Sequence, residues 1–120
     1  MKKLVKDQNG NLAELVSING FVPEGWELVP ENELEASELA IATRDKMSEI
    51  RGERNRMLSA NDVAWLIASK QGQATTALEA DAQILRDMPE DAEAAIHLLE
   101  SAEAIKAYDA FVDLELSRSY

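Results

Sequence analysis

The stretch from Glu31 to Leu58, ENELEASELAIATRDKMSEIRGERNRML, decides the fold. It has no proline and one glycine, Gly52. Ala36, Ala40, Thr43, Met47, Ile50, Arg54 and Met57 recur at alternating spacings of four and three, the repeat of one helix face. Glu31, Glu33 and Glu35 suit a first turn, where carboxylates meet the positive end of the helix dipole. The spacing predicts one long helix over about 31–58, weakened near Gly52.

Upstream, Gly10, Gly20, Gly25, Pro23 and Pro30 crowd the first 30 residues between short apolar runs. Leu4-Val5, Leu12 to Ile18 and Trp26 to Val29 read as strands. Asn9-Gly10 is a two-residue hairpin signal, Asn19-Gly20 a second turn, and Pro23-Glu24-Gly25 a third that starts a strand at Trp26. A hairpin or three-stranded antiparallel sheet of this size needs a helix against it.

Downstream, Ser59-Ala60-Asn61-Asp62 reads as a break followed by a helix N-cap. A helix over about 62–70 then loosens at Gln71-Gly72-Gln73. The next covers about 74–87, with Ala74, Ala77, Leu78, Ile84, Leu85 and Met88 near one face. Pro89 is expected to stop it and to open a last helix over about 90–116. That helix carries Ala95, Leu98, Leu99, Ala102, Ile105, Tyr108 and Val112. The fold class is therefore α+β, mainly α: a small β module over 1–30 and a helical region over 31–120, forming a helical hairpin or bundle.

The chain has 120 residues and a formal net charge of -11, one domain's worth of acidic polypeptide. The acidity argues against binding DNA, RNA or anionic membranes, whose phosphates call for Lys and Arg. The longest apolar run is Val63 to Ala68, far short of a membrane span. Met1-Lys2-Lys3 begins like a secretory leader, but Lys6-Asp7-Gln8-Asn9 stands where an apolar segment belongs. A soluble, intracellular chain is expected. Charge is uneven along it: residues 43–71 hold six bases and four acids, while residues 72–120 hold three bases and 11 acids.

No constellation for catalysis emerges, and no cofactor or metal is expected. There is no cysteine and one histidine, His97, which no motif accompanies; it reads as a surface or packing residue. The glycines are too scattered for a phosphate loop. Asp7, Asn9 and Asn11 alternate as calcium ligands would, but Gly10 and Ile18 are out of register, leaving a solvated turn. Arg51, Arg54 and Asn55 lie near one helical face, where guanidinium forks can pair with carboxylates of this chain or another. Trp26 and Trp65 are core residues or binding anchors.

Residues 50–62, Ile50-Arg51-Gly52-Glu53-Arg54-Asn55-Arg56-Met57-Leu58-Ser59-Ala60-Asn61-Asp62, resemble the opening motif of the phage tail assembly chaperone family of tail-fibre-associated proteins. Leu85-Arg86-Asp87-Met88-Pro89 is similar to its closing motif. Asn9-Gly10 and Phe21-Val22-Pro23-Glu24-Gly25-Trp26-Glu27 resemble the strand module that often precedes it. Trp65 stands two places late, and Asp81-Ala82 replaces a Tyr-Arg pair. The resemblance implies a tail or tail-fibre assembly protein, in the host cytoplasm or retained in the virion, and leaves homo-oligomerisation open. It implies a hairpin turning at Asn61-Asp62, with Arg51 or Arg54 meeting Asp87 and Trp65 covering the turn. Arg51, Arg54, Asn55, Leu58, Asp62, Trp65, Leu85, Arg86 and Asp87, with Pro23, Gly25 and Trp26, are the expected partner-binding or structural residues. The competing reading, from charge alone, is an acidic inhibitor that mimics nucleic acid and blocks a host defence protein.

Overall fold

The computed structural model describes residues 3–15 and 22–120. Three strands, β1 (Leu4–Asp7), β2 (Leu12–Glu14) and β3 (Trp26–Leu28), form an antiparallel sheet in the order β2-β1-β3. A 3-10 turn at Glu31–Glu33 leads into α1 (Leu34–Lys70), then α2 (Thr76–His97) and α3 (Ala102–Ala107). The chain is α+β, mainly α. The expected continuation of the second strand to Ile18, the Asn19-Gly20 turn and Phe21 lie outside the described residues.

The first hairpin turns where Asn9-Gly10 predicted, with a different turn. No non-glycine residue among those described has positive φ, so Asn9 is not in the left-handed region; Gly10 is, at φ 83°. Asp7 N–H donates to Asn11 O and Gly10 N–H to Asp7 O, closing a three-residue loop with glycine at the bulge position. The Asp7 carboxylate accepts from the Asn11 side chain and from the Asn9 and Asn11 backbone N–H groups. The Asn11 amide above all, with those backbone donors, holds its carboxyl below the ordinary value. At the third turn, Trp26 N–H donates to Pro23 O, with Gly25 at φ 85°. That places glycine where a type II turn requires positive φ. Leu4 and Val5, neighbours on the central strand, are both buried.

The long helix does not end at Leu58. It runs unbroken through Ser59-Ala60-Asn61-Asp62 to Lys70, so the expected helices 31–58 and 62–70 are one. The stripe that begins with Met47, Ile50, Arg54 and Met57 continues through Asn61, Ala64 and Ala68 at the same spacing. Burial of that stripe against α2 outweighs the weak helix preference of Ser, Asn and Asp. The real stop is Gly72, at φ 70°. Gly72 N–H donates to Ser69 O and Gln73 N–H to Ala68 O, the paired bonds of a Schellman motif. At the other end the stripe shifts: Ala36 and Ala40 are exposed and Ala42 is buried. Gly52 sits on the exposed side with open space around it. Gly52→Ala is expected to raise the unfolding free energy by about 0.5–1 kcal/mol, read by chemical denaturation.

Pro89 does not end a helix either. α2 passes through it, burying Leu78, Asp81, Ala82, Leu85, Met88, Pro89, Ala92 and Ile96 on one side. An interior proline costs about 3 kcal/mol of helix stability. The burial of Met88 and Ile96 alone, at roughly 1.5–3 kcal/mol each, offsets it. The expected helix 90–116 is absent: its first part belongs to α2, Ala102–Ala107 forms α3, and residues 108–120 form no helix. Leu98 and Val112, two of the apolar residues assigned to that helix, are exposed. Ser101 caps α3 by accepting from Ala104 N–H. The core joins Ala42, Met47 and Ile50 of α1, Met88, Ala92 and Ile96 of α2, and Ile105 of α3. Tyr108, Phe111 and Leu114 of the last segment pack against it.

Candidate functional site

The residues carrying the resemblance scatter over the hairpin instead of converging. Arg51 is exposed, and Arg54, half-buried, donates from Nε to Asn55 Oδ1 at 3.1 Å. Asp87 is exposed and accepts from Gln83 Nε2 one turn back on its own helix. Among the described residues no ion pair joins Arg51 or Arg54 to Asp87, so the expected cross-hairpin pairing is not formed. The hairpin turns at residues 71–75, ten places beyond Asn61-Asp62, because Gly72 and not Asn61 terminates α1. Trp65 is near that turn: its indole Nε1 donates to Glu79 Oε1 in the first turn of α2 at 3.4 Å. Leu58 is half-buried, Leu85 fully buried, and Asp62 and Arg86 exposed. Pro23 and Gly25 are exposed in their turn, with Trp26 half-buried beside them.

What the chain does bring together is a polar clasp between α1, α2 and the last four residues. Asp81 and Asn61 are each 2% exposed. Ser117 donates to the Asp81 carboxylate twice, from its backbone N–H at 2.8 Å and from its hydroxyl. Tyr120 O–H donates to Asp81 Oδ2 at 2.6 Å. Asn61 Nδ2 donates to the Tyr120 hydroxyl oxygen and to Leu78 O, both at 2.9 Å. Arg56, whose side chain pairs with Glu53, adds a bond to the Tyr120 backbone oxygen at 3.1 Å. No buried side-chain nitrogen or oxygen among the described residues is left without a partner.

Burial pushes the Asp81 carboxyl up, but the Ser117 and Tyr120 hydroxyls, the Ser117 N–H and the charge of Arg118 outweigh it. The group therefore titrates below its ordinary value. Burial, then the bond and charge of Asp81, push the Tyr120 phenol above its own. Charge-assisted bonds of this kind are about twice as strong as neutral ones. The clasp holds the last segment on the hairpin.

Sequence reasoning missed Asp81, Asn61, Ser117 and Tyr120. The signal for Asp81 lies in its spacing: it falls between Leu78 and Leu85 on the inner stripe of α2, where an acid needs partners. A second unexpected buried charge is Lys46, whose Nζ donates to Lys106 O at 2.8 Å. It thereby closes the C-terminal end of α3 with positive charge. His97 is exposed, 3.9 Å from Glu93 on the same helix. Among the described residues no three His, Asp or Glu side chains converge to hold a metal ion, and no helix is long and apolar enough to cross a membrane.

The remaining feature is apolar. Val63, Leu66 and Ile67 are exposed along the outer face of the last turns of α1. The surface also carries open grooves. One of about 550 Å³ lies between the sheet, α1 and α3, rimmed by Arg44, Asp45, Lys46 and Glu49. No family model, curated protein or solved structure matches the chain.

Proposed function

We propose that the chain is a phage tail or tail-fibre assembly or accessory protein that works by protein–protein contact. The observation that carries this reading is the exposed row Val63, Leu66 and Ile67, which follows directly on the motif of residues 50–62. A helix that offers aliphatic side chains at i, i+3 and i+4 to water is built to lie against another protein surface. The resemblance to tail assembly chaperones supplies the kind of partner.

Co-expression with a tail-fibre protein encoded by the same genome, followed by affinity capture, tests it. The fibre protein is expected to co-purify with the full chain, and Val63→Ser with Ile67→Ser to reduce recovery about tenfold. A fibre protein that never co-purifies, or is captured equally by the double variant, overturns the reading. Recovery from purified particles separates a virion component from a transient chaperone.

A second reading rests on the acids Glu90, Asp91 and Glu93, all exposed on α2. It makes the chain a nucleic-acid mimic that inhibits a host defence protein. Competition with DNA for a basic partner is its test.

A further inference from the structure

We propose that the outer face of the last turns of α1 is a self-association surface, on which two copies pair antiparallel about a two-fold axis at Leu66, so that a fibre partner engages this row only by displacing the second copy. Asn61, Ala64 and Ala68 form the inner stripe of these turns, Asn61 reaching Leu78 of α2. At 100° per residue, the opposite side holds Asp62, Val63, Leu66, Ile67 and Lys70. Val63 is 59% exposed, Leu66 50% and Ile67 51%. Water therefore faces three adjoining aliphatic side chains that no part of the described chain covers.

The charges at either end of the row specify the occupant. Asp62 stands four residues before Leu66 and Lys70 four residues after it. Both are exposed, and neither has an ion-pair partner among the described residues of its own chain. Read in one direction the face runs acid, apolar, base; read in the other it runs base, apolar, acid. Antiparallel pairing with Leu66 on Leu66 brings Asp62 against Lys70 of the second copy, and Lys70 against Asp62 of the second copy. This is the self-complementarity of an isologous interface. Parallel pairing would instead set like charges together. The overlap over residues 62–70 is about 13 Å of helix. So short a contact belongs at the small, weak end of interfaces, with a Kd of about 10–100 μM.

The natural chain has no cysteine, so Leu66→Cys introduces a single thiol at the axis. Mild oxidation is expected to give a covalent dimer at least about tenfold faster than Asp91→Cys, exposed on α2. Sedimentation equilibrium up to about 500 μM is expected to show a reversible dimer of the natural chain. Asp62→Lys and Lys70→Asp are each expected to weaken it about tenfold, and the double exchange to recover affinity to within about threefold. Leu66→Ser is expected to weaken it similarly while leaving the melting temperature unchanged. A chain monomeric throughout, its face left to a foreign protein, overturns the proposal. So does a double exchange that fails to recover, or a dimer indifferent to Leu66→Ser.

Discussion

Asp81→Ala is expected to release residues 117–120 from the hairpin and to lower the unfolding free energy by about 3 kcal/mol. Three donors converge on this carboxylate: the Ser117 N–H, the Ser117 hydroxyl and the Tyr120 phenol. A bond to a charged group contributes about 1.5–3 kcal/mol. Removing the acceptor frees the donors to reach water, and the detached segment regains conformational entropy, so the loss is less than three full bonds. Asp81→Asn retains acceptor capacity without charge and is expected to cost about half as much. Protection of the Ser117 amide from hydrogen exchange separates detachment from a general loosening of α2.

The same group gives the fold an acid limit. Its folded-state value lies below the ordinary 3.8. Its contribution is therefore complete above that value and lost as pH falls through the lowered folded one. At the alkaline end, the Tyr120 phenol is raised above 10.0. Its contribution is present below 10.0 and is lost as pH rises through the folded value. Denaturant midpoints against pH should show both slopes, and Asp81→Ala should flatten the acid one.

Ile105→Ala is expected to cost a further-reaching 3 kcal/mol or about that. α3 has six residues, too few to be helical alone, and Ile105 is its only buried side chain. Its burial in the core cluster that includes Met47, Ile50 and Ile96 is therefore the reason the helix exists. Truncation removes three carbon atoms from a close-packed site and weakens the seat of Tyr108 and Phe111 alongside. With α3 loosened, Lys46 loses the carbonyl of Lys106 and must return to water. A fall in far-UV helicity no greater than this short helix, together with the lower midpoint, is the expected pair of observations. An unchanged midpoint would show that α3 docks without contributing to stability.

The boundary between β module and helical region is legible in the crowding of Gly and Pro before Pro30 and in the long stripe after it. The helix ends are less so, because local chemistry and tertiary packing disagree at two places. Asn61 has the side chain of an N-cap, yet its amide is used 17 and 59 residues away, by Leu78 and Tyr120. Pro89 has the ring of a helix stop, yet it lies on a buried face that holds the helix through it. The clasp was invisible for the same reason. Ser117 and Tyr120 lie just past the stretch that reads as a last helix, and nothing local ties them to Asp81. The outer row of α1, by contrast, was readable as an apolar run; only its spacing to Asp62 and Lys70 gives it a direction.

The 37-residue α1 also governs how the molecule moves through solution. The chain measures 63 × 28 × 23 Å, with a radius of gyration of 19.7 Å. A compact protein of this length would have about 14 Å. Such a rod experiences more friction than a sphere of equal mass. It elutes early from a gel-filtration column, tumbles slowly about its short axes and gives anisotropic NMR relaxation. A monomer will thus pass for a dimer by elution volume alone, whereas light scattering or sedimentation reads its mass directly.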